Sequence, residues 1–502
     1  MNGTHPELVF GLVGAIGTDL AQVEDALKNS LTSVGYIPVP IKLSDLMREL
    51  NPPWSSFPER GDPEYYGKAM DAGNKLREDL QDASAMAKLA IASIRRRRDK
   101  AVEEKCLKVA YILNSLKRPE EIDRLRSVYG PSVFIISAYS PRESRVGRLA
   151  MRLAEQQHEN SSAKYRGPAE ELISRDEKEK KEFGQSVRKA YPLADLFLRT
   201  ASRASVAGSI ERFIQVLFGD FWKTPTRDEE GMALANLASL RSASPARQVG
   251  AAITDDYGRV VSIGTNEVAK AKGGQYWEGD TEDGRDFLYA DRDQSDKMRW
   301  NLLSDLIERL RGLKRLSKDC PANSELFNSG SDDYEVLRDA QLFDTIDFVR
   351  CVHAEASALF SAGLASRGAT LYVTDFPCHE CARHIVISGI QKVVYIEPYP
   401  KSLVAELFRD SISVDADEGS DHRIQFVPFS GIAPSVYGQL FRVPSNRKRK
   451  GEDGKITKWE PLSSFPHLFA AYSEQAVRLA ESALILHFQQ TLIKKGILND
   501  QN

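Results

Sequence analysis

Two short stretches concentrate side chains that can hold a metal. VHAEASALF (Val352–Phe360) carries His353 and Glu355, and TDFPCHEC (Thr374–Cys381) carries Cys378, His379, Glu380 and Cys381. Together they give H-A-E followed by P-C-x-x-C, with His353 lying 25 residues before Cys378. One imidazole and two thiolates fill three positions of a tetrahedral zinc site and leave the fourth open, the arrangement of a catalytic rather than a structural zinc. Spacing i, i+3 puts Cys378 and Cys381 on one face of a first helical turn. Free amides and the helix dipole favour thiolates there, and Pro377 suits such a start. His379 and Glu380 lie between the cysteines and are expected to point away, and His384 is read as packing. Glu355 stands only two residues past His353, so both can face one point only if His353 sits at the helix start.

The pattern is similar to the signature of zinc nucleobase deaminases, in which the glutamate is the acid–base residue and not a ligand. On that resemblance Glu355 takes a proton from water, passes it to the ring nitrogen and helps protonate departing ammonia. RSASPARQVGAAITDDYGRVVSIGTNEV resembles the opening of deoxycytidylate deaminases. The resemblance implies that Asn266 holds a sugar hydroxyl and Arg247 approaches a phosphate or an oligomer contact. Ser244 is a further candidate, and a free nucleotide is favoured over a base in a polymer.

These motifs need elements to carry them. The sequence predicts helices over 353–365 and 378–388, strands over 369–374 and 392–396, and a hairpin over Val249–Asn266 turning at Asp-Asp-Tyr-Gly. Between them Glu267–Thr345 is a long polar insertion with a helix near Met298–Leu313. Its stretch Gly273–Phe287 could form a substrate lid or simply pack. Upstream, apolar runs at Glu7–Val13, Tyr36–Leu43, Val109–Leu113 and Val133–Ala138 alternate with helical segments. One of these, Leu76–Arg98, reads as a single long helix. Such alternation implies a parallel sheet with helices on both faces. His158–Lys189 is highly charged and expected to be exposed. A polar break near Asp220–Gly231 divides the chain into expected domains at 1–222 and 223–502, and the chain closes in a helix expected over Phe469–Lys494.

GLVGAIGTD (Gly11–Asp19) sits where a phosphate-cradling loop would, making Gly11, Gly14, Gly17, Thr18 and Asp19 a candidate nucleotide-binding loop. It departs from G-x-x-x-x-G-K-[ST], because Thr18 and Asp19 stand where lysine and a hydroxyl residue would follow Gly17. The arginines of Ser140–Arg148 could form a phosphate-binding lid and those of Arg95–Arg98 could meet RNA, but both runs read first as solvated helix faces.

The order of parts resembles the bacterial anti-phage dCTP deaminases. That implies a P-loop kinase-like parallel-sheet domain followed by a cytidine deaminase-like three-layer α/β/α domain. It also implies zinc as cofactor, dCTP and dCMP as substrates, and depletion of the deoxycytidine nucleotide pool in antiviral defence. A regulatory nucleotide at the first domain, an inhibitory small RNA and a homo-oligomer are implied in the same way. Two other readings stand beside this one: an RNA or single-stranded DNA editing deaminase, and a nucleotide- or RNA-sensing module whose zinc is structural, closed by His379 or Cys351.

Composition narrows the class. The chain has 68 basic and 71 acidic residues and a net charge of -3, so no global basic excess argues for a nucleic-acid coat. No apolar run approaches the roughly 20 residues that cross a bilayer. The N-terminus lacks a basic leader region, and the cysteines number five, Cys106, Cys320, Cys351, Cys378 and Cys381. An odd, sparse set in a long chain does not form a disulfide framework, which predicts a cytoplasmic protein with reduced thiols.

Overall fold

A computed structural model of the chain describes residues 5–103, 108–177, 179, 181–289, 294–317, 319–338, 340–344, 348–397, 403–415, 422–443, 449–451, 453–468 and 473–498. Cys106, 446–448 of the basic turn and 469–472 of the final expected helix lie outside these. The chain separates into two compact units, Met1–Ala233 with Ile396–Pro400 and Val427–Asn502, and Leu234–Tyr395 with Lys401–Phe426.

The first unit is built on a parallel sheet of β1 (Leu8–Val13), β2 (Ile37–Lys42), β3 (Val109–Leu116), β4 (Val133–Tyr139) and β5 (Leu196–Arg199), in the order β5-β4-β1-β3-β2. β1 and β4 are buried along their whole length, which is why they read as unbroken apolar runs. Pro38 and Pro40 lie in β2, an edge strand where missing amide donors are tolerated. Helices cross between the strands: α1 (Leu20–Ser33), α2 (Tyr65–Leu80), α3 (Ala85–Glu103), α4 (Pro119–Tyr129), α5 (Arg142–Gln156), α6 (Arg166–Glu177) and α7 (Arg203–Leu217). In α1, Val23, Leu27 and Leu31 face the core, and Asp19 caps the start by accepting from the Gln22 amide.

Several expectations change here. The helix expected over Leu76–Arg98 is two helices. Gln81 adopts a left-handed conformation that ends α2, and Asp82 accepts from the Ser84 amide at 2.9 Å just before α3. The arginine runs are not simply solvated. Arg98 is buried between Glu7 and Glu481, and Arg145 is buried against Glu177. Within the charged stretch 158–189, Asp176 and Gln185 are buried. Residues 427–502, read with the C-terminal domain, gather with the first unit instead. Gly431–Ile432 adds an antiparallel strand to β5, and the helix Glu474–Lys494 brings Glu481 to Arg98.

The chain enters the second unit through α8 (Arg227–Ser239). The sheet there comprises β6 (Gly250–Thr254), β7 (Val260–Thr265), β10 (Thr370–Val373), β11 (Lys392–Tyr395), β12 (Ile412–Val414) and β13 (Ile424–Pro428), ordered β12-β13-β11-β10-β6-β7. β6 is antiparallel to β7 and β10, whereas β10 and β11 are parallel. A separate two-strand ladder pairs β8 (Glu267–Val268) with β9 (Cys351–Val352), so the long insertion leaves and returns at one place. Its helix α9 (Gln294–Gly312) packs Leu303 and Ile307 with Leu326 into a small core of their own. Two helices then carry the motifs, α10 (Ala354–Ala362) and α11 (His379–Ser388). Among the described residues no helix is long and apolar enough to cross a membrane.

Candidate zinc centre and its cavity

His353 is the N-cap of α10, with φ −63° and ψ 151°, directly after β9. Its extended backbone meets the condition set by the H-x-E spacing: the residue stands outside the helical screw, and Glu355 lies in the first turn. The first helical bond runs from the Ser357 amide to the His353 carbonyl at 2.9 Å. Gly264 in β7 allows this placement, because a Cβ there would lie 2.1 Å from the Ala354 carbonyl oxygen and 2.4 Å from the Ala358 nitrogen. α10 therefore rests on bare backbone.

Cys378 is the N-cap of α11, its Sγ accepting from the Cys381 amide at 3.4 Å, with buried Pro377 just before it. His353 Nδ1 lies 3.3 Å from Cys378 Sγ and 3.4 Å from Cys381 Sγ. All three donor atoms fall within 4.8 Å of one another. A tetrahedral zinc with bonds of about 2.3 Å to sulfur and about 2.0 Å to nitrogen separates such donors by about 3.5 Å, so the set fits that ion. Among the described residues it is the single cluster of this kind. Glu380 turns to Arg383, and Cys351 lies 3.2 Å from Asp286 Oδ2, so neither joins the group. His379 is likewise not part of it. The fourth ligand that a closed structural zinc would need is not contributed by His379 or Cys351.

The electrostatics suit the donors. Hydrogen bonds from the Cys381 thiol and from His353 pull Cys378 down to about 4, and the Cys378 contact lifts His353 to about 9. The hydrogen bond to Cys378 pushes Cys381 up, and a bound metal would displace the protons of Cys381 and His353. Glu355 is 5% exposed, and burial raises its carboxyl to about 7. A carboxyl with that value both takes and returns a proton at neutral pH.

His353, Cys378 and Glu355 border a cavity of about 210 Å³, which Ser244, Arg247 and Asn266 also line. Asn266 does more than face it. Its Oδ1 accepts from the Val249 amide at 2.7 Å and its Nδ2 donates to the Arg247 carbonyl at 2.8 Å, so it clamps the loop that carries Arg247. Arg247 is ion-paired with Asp375. Three wall residues went unnoticed in the sequence: Asp375, Asp286 and Arg350, the last two paired at 2.7 Å. Asp375 lies inside the TDFPCHEC stretch and Arg350 three residues before His353, so proximity to the motifs was their only signal. Of the Gly273–Phe287 stretch, Asp286 reaches the cavity, while Trp277 lies under the Arg241 guanidinium, 4.0 Å from its ring centre.

In the first unit the structure disperses the expected loop. Gly11 lies inside β1, not in the turn, and Asp19 is a helix cap. Gly14, Gly17 and Thr18 do line a cavity. Gly17, at φ +86°, has room for no side chain: its Cβ would lie 2.7 Å from the Arg145 carbonyl oxygen.

Residues 225–397 match the family model for the cytidine and deoxycytidylate deaminase zinc-binding region. The second unit thus carries a deaminase zinc-binding region. A Drosophila melanogaster protein named "Probable deoxycytidylate deaminase" is 28% identical over 170 residues, 34% of this chain and 58% of that protein. The deoxycytidylate deaminase of Enterobacteria phage T2 is 52% identical over 54 residues, 10% of this chain and 29% of its own. The chain therefore spans little more than half the length of the first of these relatives and under a third of the second. A crystal structure of dCMP deaminase from the cyanophage S-TIM5, in complex with dCMP and dUMP, aligns at 19% identity with a TM-score of 0.20, covering 38% of this chain and 93% of that one.

Proposed function

We propose that the second unit is a hydrolase that removes ammonia from the cytosine ring of a free deoxycytidine nucleotide, dCTP and also dCMP, leaving the deoxyuridine nucleotide. The observation that carries this reading is the convergence of His353, Cys378 and Cys381 beside the buried carboxyl of Glu355 at one cavity. Zinc held by those three residues supplies Lewis-acid activation of water, lowering its pKa towards about 7.

The protein's own groups do the rest. Glu355 removes the proton of the attacking water, delivers it to the ring nitrogen and returns a proton to the amino group as it leaves. Water adds its oxygen to the ring carbon, the carbon–nitrogen bond breaks, and ammonia departs. Phe376, on the cavity wall, gives the ring an apolar face. Arg247 and Arg350, each paired with a carboxylate on the cavity wall, exchange that partner for substrate phosphate.

The same resemblance supports a role in depleting the deoxycytidine nucleotide pool during phage infection, within the cytoplasm, as a homo-oligomer restrained by a small RNA. The test is substrate profiling of zinc-loaded protein with dCTP, dCMP, CMP, cytidine and a cytosine-containing oligonucleotide, following ammonia release. Turnover of the deoxynucleotides supports the reading. Turnover of the oligonucleotide alone contradicts it.

A further inference from the structure

The long insertion sends a charged side chain to the wall of the zinc cavity. Asp286, at the end of the Gly273–Phe287 stretch, is held there twice: Oδ1 accepts from Arg350 Nη1 at 2.7 Å and Oδ2 from the Cys351 thiol at 3.2 Å. Arg350 also donates to the Gly284 carbonyl at 3.3 Å. Both donors belong to the short segment that leads through β9 into His353, so the carboxylate is fastened to the support of the metal ligand itself.

The stretch that presents Asp286 is fixed by contacts of its own. The Tyr276 amide donates to the Val268 carbonyl at 3.1 Å, and Gln275 Nε2 donates to the Thr265 carbonyl at 2.7 Å. Ser357, in the first turn of α10, donates from Oγ to Gln275 Oε1 at 3.3 Å. The Tyr276 ring rests on Gly284, where a Cβ would lie 2.7 Å from it. Tied down at Gln275 and at Asp286, this part of the insertion keeps a carboxylate at a set place beside the site.

That place matters for charge. Among the described residues the arginine and lysine side chains lining the cavity are Arg247 and Arg350, and each faces a carboxylate, Asp375 and Asp286 respectively. A phosphate that takes either arginine therefore meets a negative charge beside it, and the repulsion grows with the charge the ligand carries. Repulsion built into a site discriminates between ligands that share every other contact. dCMP and dCTP are such a pair, alike in base and sugar and different in phosphate charge. Asp375 lies within the stretch that carries Cys378, whereas Asp286 comes from outside both metal-ligand motifs and can be changed without altering either.

We propose that Asp286 is a specificity-determining residue of this site: its carboxylate, brought by the insertion to Arg350, sets the balance between monophosphate and triphosphate by repelling the more highly charged nucleotide. The inference rests on the reading that the cavity takes a deoxycytidine nucleotide. The experiment is isothermal titration calorimetry of the zinc-loaded full chain carrying Glu355→Gln, with dCMP and dCTP in separate runs, before and after adding Asp286→Asn. Asparagine keeps the size of the side chain and an acceptor for Arg350 but removes the charge. The Kd for dCTP is expected to fall about three- to tenfold more than that for dCMP, and the difference to shrink as salt is raised. Asp286→Glu, which keeps the charge, is expected to leave the ratio of the two Kd values within about twofold of the Glu355→Gln background. A merely structural tie weakens both nucleotides together, so an unmoved ratio, or one shifted towards dCMP, overturns the proposal. Ammonia release by the unaltered protein separates this outcome from the function beneath it. Turnover of the deoxynucleotides with an unmoved ratio overturns the role of Asp286 alone. A shifted ratio without turnover upholds that role and overturns deamination, and the absence of both binding and turnover overturns the two together.

Discussion

Glu355 and His353 face one point only because the backbone between them changes from extended to helical at the N-cap. The residue scale is thus where the chemistry is set. Cys378→Ser removes a ligand whose thiolate is already favoured, and zinc measured by inductively coupled plasma mass spectrometry falls from about one per chain towards none. Asn266→Ala has a different signature. Its amide bridges Arg247 and Val249, so the change destabilises the second unit by about 1–3 kcal/mol in addition to raising KM. A melting temperature equal to that of the parent would show a substrate contact and no clamp. The H-A-E and P-C-x-x-C residues were legible because metal geometry restricts residue type and spacing. Asp286, Asp375 and Arg350 were not, since their place on the wall depends on ion pairs between segments distant in sequence.

At the scale of elements, the approach of α10 to β7 fixes where His353 stands. Gly264→Ala forces a methyl group against the helix backbone, and overpacking of this kind costs about 1–3 kcal/mol or more. Thermal unfolding is expected to shift downward with partial loss of zinc, and an unchanged melt with full zinc would contradict the account. Strands and helices around the motifs were legible from period and flanking residues, to within a few positions. The split between α2 and α3 was not, because one left-handed Gln81 makes the break and no glycine or proline announces it. Nor was the burial of Asp176 or Arg145, which charge alone assigned to the surface and partners brought inside.

At the scale of the whole molecule, the surprise is the path of the C-terminal segment. Residues after Val427 return to the first unit, and the buried Arg98 guanidinium, held by Glu7 and Glu481, ties the last helix there. Glu481→Ala leaves that charge with one partner, and urea denaturation is expected to show a loss on the order of 3 kcal/mol. Composition and motif order could suggest two parts, but not that their sequence ranges interleave, because strand addition at a sheet edge and a buried ion pair are long-range events.

The central claim is that the zinc centre and Glu355 together deaminate a free deoxycytidine nucleotide. Ammonia release from dCTP and dCMP, measured side by side for the zinc-loaded parent and for Glu355→Ala, tests it most directly. The account predicts turnover by the parent, and a fall of about 10²–10⁴-fold or more in the variant while its zinc content is unchanged. A variant that retains both zinc and the parent's rate would contradict it.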